Sequence, residues 1–205
     1  MTSTDHQAPS TAHGAPGNGL PRALDAALAL VGLALAAPLL LVAALAIKLD
    51  SRGPVIYRSR RVGLGGAEFD LLKLRTMHPG NDPVGVGTPV LGRDPRVTRV
   101  GHLLRRLSLD ELPNLVNVLR GEMAIVGPRP TLAAQVEQYT AHQRRRLAVR
   151  PGLTGWAQIN GRAGIPWEER IELDVWYTEH RSAALDLRIL ARTARLLLTG
   201  HGLYG

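Results

Sequence analysis

Residues 108–114 read SLDELPN and set two carboxylates, Asp110 and Glu111, side by side between leucines. Arg105 and Arg106 lie just upstream, and Pro113 just downstream. Mg²⁺ is usually held by one or two carboxylates together with substrate phosphates, which suits an adjacent acid pair near arginines. A carboxylate can also be the nucleophile that takes a phosphoryl group. A purely structural reading competes, because Ser108-x-x-Glu111 matches a capping box. Pro113 counts against it. With Ser108 as N-cap, the proline would fall at the fifth helical position, where its missing N–H and its ring are costly. The helix proper is predicted to begin near Pro113. The acids then sit at the mouth of a helix N-terminus, an end that attracts anions.

Several cations could join them. The segment GPRP holds Arg129 between two prolines, which fixes the backbone and lowers the entropy cost of presenting the side chain. The segment KLRTM places Lys73 and Arg75 two residues apart, on the same face of a strand. For each of these taken singly, a solvated charge is the better reading. No histidine has metal-ligand spacing, there is no P-loop, and GLGG is too short for a dinucleotide fingerprint.

Composition narrows the partners. The 205 residues suffice for one domain and an appendage, and the chain has no cysteine, hence no disulfide framework and no thiolate metal site. Formal net charge is +8, and only Lys48 and Lys73 are lysine. Excess arginine favours phosphate-bearing partners, although genomic base composition is an alternative source of the bias. Nucleic acid is disfavoured as a partner: the chain has one Phe, four Tyr and three Trp, and no basic stretch interleaved with them.

These residues need elements to hold them. Residues 1–21 are rich in Ser, Thr, Gly, Pro and Ala and read as a disordered tail without the order of a secretory signal. From Ala26 to Ile47 the chain is uncharged for 22 residues, roughly 33 Å as a helix. Pro38 sits near its middle and should bend it. The basic flank at Lys48, Arg52, Arg58, Arg60 and Arg61 favours a cytoplasmic C-terminal end. A kinked single span, a re-entrant hairpin with both ends cytoplasmic and a buried core helix all fit. Beyond it the pattern predicts a β-hairpin with strands near 55–61 and 67–74 around Gly63, Gly65 and Gly66, then a loop over 78–98. A short basic helix is predicted at 99–107, and a second that stops near Gly121. VGPRP and RPGLTGWAQINGR read as rigid loops. Pro166 should open a helix to about His180. A last helix should run from about Asp186 to Thr199, with Arg188, Arg192 and Arg195 on one face; it is either interfacial or an ordinary surface helix.

KLRTM, DPRVTRVG, LRRLSLDELPNLVNVLRGEMAIVGPRP, RPGLTGWAQINGR, ERIELDVWY and LDLRIL occur here in the order in which the bacterial sugar transferase family carries them. The chain resembles the monotopic polyprenyl-phosphate phosphoglycosyl transferases over about residues 22–200, and looks like their minimal form. The resemblance implies transfer of a sugar-1-phosphate from a UDP-sugar to undecaprenyl phosphate, with loss of UMP, as the first membrane step of exopolysaccharide, O-antigen or glycan assembly. It implies Asp110 as nucleophile, Glu111 with Asp110 at a Mg²⁺, and Arg129, Lys73, Arg75 and Arg105 at phosphate. Arg150, Gln158, Asn160 and Arg162 fall in the family's loop motif and would contact the nucleotide-sugar, with Asp186 contributing at the site or structurally. The apolar run becomes a re-entrant helix-break-helix with its break at Pro38. Ala37 replaces a serine of some relatives, and Ala163 an asparagine of many. Glucose, galactose and N-acetylated hexosamines all stay open as the sugar. GWAQINGR and Trp167-Glu168-Glu169 lean towards N-acetylated ones.

The implied fold is α+β and mainly helical. It has a tail at 1–21, the re-entrant helix at 22–50, a catalytic domain at 51–200 on the cytoplasmic face of the inner membrane, and a short tail at 201–205. The membrane hairpin should pack on amphipathic interfacial helices and the small β-hairpin.

Overall fold

The computed structural model describes residues 18–80, 94–161 and 164–199. The expected tails lie almost wholly outside these residues, as do Arg162, Ala163 and most of the predicted 78–98 loop.

Helix α1 (Arg22–Asp50) forms from the uncharged run, which is rich in the strong helix formers Ala and Leu. The helix runs on through Pro38, the position of the expected break. Pro38 lies on the exposed side of the helix. Asp25, Ala29, Ala43 and Ile47 are buried, and Gly32, Leu33, Ala36 and Leu40 are half-buried between them. This is a single stripe at the helical period. Its small residues let the helix lie close to the body; a Cβ on Gly32 would meet Leu115 Cδ1 at 3.2 Å. The opposite face is apolar and open, with Leu30, Leu35, Leu41, Leu45 and Leu49 between 61% and 79% exposed.

Both ends of α1 are tied to the same body. At the start, Arg22 donates to the Leu119 carbonyl at 2.8 Å, and the Asp25 carboxylate accepts from Ile125 N at 3.1 Å. Just before the helix, Leu20 N donates to Asp186 at 2.8 Å. At the far end, Arg75 donates to the Ser51 carbonyl at 2.7 Å, the Ser51 hydroxyl at 3.0 Å and the Arg52 carbonyl at 2.8 Å. Asp50 accepts from Val100 N at 3.0 Å.

Strands β1 (Ile56–Val62) and β2 (Glu68–Leu74) pair antiparallel, with Tyr57 opposite Lys73 and Arg61 opposite Phe69. The hairpin matches its prediction to within a residue. Its turn needs glycine, because Gly65 and Gly66 have φ of 64° and 87°. Helix α2 (Arg99–Arg106) is capped by the Thr98 hydroxyl, which accepts from Gly101 N. Helix α3 (Asn114–Arg120) ends at Gly121, whose φ is 82°.

The remaining elements are β3 (Ala124–Val126), α4 (Ala133–Glu137), a 3₁₀ stretch (Gln143–Ala148), β4 (Gly152–Thr154), α5 (Trp156–Asn160), α6 (Trp167–His180) and α7 (Ala183–Thr199). β3 and β4 pair in parallel, with β4 and the last residue of β3 inside segments that read as loops. Three residues are too few to show alternation, and a parallel partner is never adjacent in sequence. The main core joins α1 (Ala29), β2 (Phe69, Leu71), α3 (Leu115, Val118), β3 (Ile125, Val126) and α6–α7 (Tyr177, Ile189). Asn117, fully buried, locks α3 to β2: its amide accepts from Leu72 N and donates to the Asp70 carbonyl.

Arg75, expected at phosphate, is instead 5% exposed and spends its donors on the C-terminal end of α1. Arg75→Ala should therefore lower folding stability by about 3 kcal/mol, since it strands buried carbonyls and loses charge-assisted bonds. Thermal or denaturant unfolding in detergent checks this. An unchanged midpoint with lost activity would return Arg75 to the phosphate site.

Candidate functional site

The acid pair sits on a tight turn. Leu109–Glu111 form one turn of 3₁₀ helix between α2 and α3, and Pro113 stands immediately before the first residue of α3. The capping box does not form: Ser108 makes no side-chain cap bond. Ser108 has φ of 55°, the only positive value at a non-glycine among the described residues. Its N–H donates to the Arg105 carbonyl at 2.9 Å, so the chain leaves α2 and turns sharply into the acids.

The two carboxylates have different surroundings. One oxygen of Glu111 accepts from Lys73 Nζ at 2.7 Å and from Arg129 at 2.9 Å. Burial alone would raise the Glu111 pKa, but the charges of Arg129 and Lys73 outweigh it and hold the group well below the usual carboxylate range. Among the described residues no donor reaches the Asp110 carboxylate within hydrogen-bond distance. Its pKa is raised, mainly by burial and in part by the Glu111 charge, with Lys73 opposing.

Three elements deliver the cations. β2 aims Lys73 into the site. The loop after β3 brings Arg129, whose side chain is 55% exposed and so remains open to an incoming anion. α2 supplies Arg105, which donates to the Thr76 hydroxyl at 2.8 Å and whose charge acts on Asp110. Arg61 is a fourth, not singled out from sequence as a site residue. It lies on β1, opposite Phe69 and on the same face as Lys73. Burial and the nearby Arg129 charge lower its pKa, and Glu111 partly restores it. The hairpin's period-two alternation was the signal that could have found it.

The loop bearing Arg129 is held on both sides. Gly127 N donates to the Thr154 carbonyl, Gly152 N to the Pro128 carbonyl, and Val62 N to the Thr131 carbonyl. Gly127, Gly152 and Gly155 press backbone on backbone, leaving no room for a Cβ.

Lys73, Arg105 and Arg129 thus gather around Asp110 and Glu111. Arg150, Asn160 and Asp186, also predicted at the site, have polar atoms engaged elsewhere. Arg150 Nε donates to the Gly121 carbonyl at 2.9 Å. Asn160 donates to the Trp156 carbonyl and accepts from Arg192, joining α5 to α7. Asp186 is 1% exposed and accepts from Leu20 N and from the Tyr177 hydroxyl. Gln158 has both amide atoms buried without a partner among the described residues. Arg162 lies outside the described residues. No cluster of three or more His, Asp or Glu exists among the described residues. The donor set is the adjacent pair alone, with the Asp110 carboxylate and the second Glu111 oxygen uncommitted.

The family model described as bacterial sugar transferase matches residues 18–200. A Caulobacter vibrioides protein named UDP-glucose:undecaprenyl-phosphate glucose-1-phosphate transferase is 48% identical, over 92% of this chain and 76% of its own length. An Aeromonas hydrophila protein named UDP-N-acetylgalactosamine-undecaprenyl-phosphate N-acetylgalactosaminephosphotransferase is 40% identical, over 88% of this chain and 44% of its own. The Rhizobium meliloti exopolysaccharide production protein ExoY is 39% identical, over 89% and 87%.

The left-handed turn at Ser108 makes a stability prediction. Ser108→Gly should be tolerated to within about 1 kcal/mol, because glycine takes positive φ without strain. Ser108→Val should cost about 2 kcal/mol, because a β-branched residue there is strained. Chemical unfolding of the two variants compares them directly.

Proposed function

Because this chain belongs to the bacterial sugar transferase family and is a transferase, we propose that it moves a sugar-1-phosphate from a UDP-sugar to undecaprenyl phosphate and releases UMP. The observation that carries the reading is the asymmetry of the acid pair: Glu111 is clamped by two cations while Asp110 beside it is uncommitted. In this scheme an Asp110 oxygen attacks the β-phosphorus of the donor. The bond from that phosphorus to the bridging oxygen breaks, and UMP leaves with the electron pair. The sugar phosphate then rests on Asp110 as an acyl phosphate. An oxygen of the lipid phosphate next attacks the same phosphorus, the acyl–phosphate bond breaks, and the carboxylate returns.

Lys73, Arg129, Arg61 and Arg105 stabilise the phosphate charge that builds during both steps. Mg²⁺ fits the donor set: Glu111, with Asp110 alongside, would hold it together with substrate phosphate, and it would neutralise phosphate charge there.

A membrane seat supports the same reading. α1 is long and apolar enough to cross a bilayer by length and composition. Each Leu or Val gains about 1.5–3 kcal/mol on leaving water, so its open face favours lipid. Both ends are fastened to one body, which favours a helix bent at Pro38 that enters and leaves on one side over one that crosses. The basic residues after it favour the cytoplasmic face of the inner membrane, where a soluble nucleotide-sugar meets a lipid phosphate.

Purified protein with undecaprenyl phosphate, Mg²⁺ and a panel that includes UDP-glucose and UDP-N-acetylgalactosamine should release UMP with one donor. Asp110→Asn, still folded, should lose more than about a thousandfold in kcat. An active variant removes Asp110 from the chemistry, and silence with every UDP-sugar removes the reaction. The attacking carboxylate must be ionised and its pKa is raised. kcat/KM should therefore fall as pH drops through a limb above the ordinary aspartate value of 3.8. A pH–rate profile that stays flat down to that value contradicts the assignment.

A further inference from the structure

Arg146, on the 3₁₀ stretch, and Asp174, on α6, form an ion pair that is 3% and 2% exposed. Replacing a buried pair by apolar groups of similar volume is often neutral or stabilising, so its presence asks for a geometric reason. The remaining contacts supply one. The same Arg146 nitrogen that meets Asp174 donates to the Arg129 carbonyl at 3.0 Å. Its other terminal nitrogen donates to the Tyr139 hydroxyl at 2.5 Å. Its guanidinium lies 5.7 Å from the Tyr139 ring centre and 6.0 Å from that of Trp167. Arg146 is thus fixed from several directions, and what it holds in turn is the backbone of Arg129. Pro128 and Pro130 have their φ angles locked by their rings, and Pro130 confines Arg129 before it to extended backbone, so what is left to fix is where ψ of Arg129 sits within that basin. A bond to the Arg129 carbonyl restrains the ψ of that residue.

We propose that the buried Arg146–Asp174 pair is the positioning element for Arg129: by holding its carbonyl, the pair fixes the direction in which the guanidinium leaves the loop to reach Glu111. Asp174 keeps Arg146 in place and neutralises a cation that would otherwise stand bare behind a phosphate site. The inference rests on the reading of Arg129 as a phosphate ligand, and the two are separable.

Wild-type UMP release, and its loss in Arg129→Lys, test the function. The pair is tested with Asp174→Asn and with the doubly apolar Arg146→Met/Asp174→Leu, each made with and without Arg129→Lys. The readouts are thermal midpoint, kcat/KM and affinity for inorganic pyrophosphate, which does not depend on choosing the right sugar. The doubly apolar protein should stay folded with a lowered midpoint, because no charge is left buried alone while the Arg129 carbonyl and the Tyr139 hydroxyl lose a donor. It should lose about tenfold in pyrophosphate affinity and in kcat/KM, and that loss should vanish when residue 129 is already lysine. An equal loss in both backgrounds, or no loss in a folded doubly apolar protein, overturns the proposal. Should Asp174→Asn fail to fold, the doubly apolar variant decides alone.

Discussion

One oxygen of Glu111 accepts from both Lys73 and Arg129, and the rest of the site depends on that clamp. Lys73, Arg129, Arg105 and Arg61 against Glu111 and Asp110 leave positive charge unspent, available for phosphate. The clamp also draws a strand residue and a loop residue onto one turn. It keeps Glu111 ionised under burial and takes the donors that would otherwise bind its neighbour. Among the described residues Asp110 is left without a hydrogen-bond donor and partly buried, a condition under which a carboxylate is a useful nucleophile.

The remaining structure keeps those groups in register. The hairpin aligns Lys73 and Arg61 on one face. The parallel β3–β4 contact, possible only with glycine at 127, 152 and 155, fixes the loop that carries Arg129. Ser108 accepts a left-handed backbone so that the acids emerge from α2 at the required angle. α1 is fastened at its start by Arg22 and Asp25 and at its end by Arg75 and Asp50. A helix with so much open apolar surface is thereby held in fixed relation to a strongly charged site. This is a sensible arrangement where one substrate is a lipid and the other a nucleotide.

Local pattern made part of this legible in the sequence. The hairpin showed because strand alternation and a Gly-rich turn are nearest-neighbour signals. The start of α3 showed because Pro113 forbids an earlier helix, and its end because Gly121 permits αL. Asp110 and Glu111 stood out because adjacent acids between leucines are costly without a purpose. What depended on distant partners was not legible. Arg75 and Asp186 look like any charged residue in a motif until their burial places them against Ser51 and Leu20. The β3–β4 pairing needs a partner strand far along the chain. Pro38 suggested a break, and the helical run continues through it. Arg61 had the right spacing but gained meaning only once the cross-strand register was known.

The most direct test is intact-mass spectrometry of the protein mixed with the accepted UDP-sugar and Mg²⁺ in the absence of lipid phosphate. The account predicts a gain in mass equal to one sugar phosphate, located by peptide mapping on Asp110, with one equivalent of UMP released. An unmodified protein that releases UMP only when lipid phosphate is present would contradict it, and would mean that the lipid attacks the donor directly.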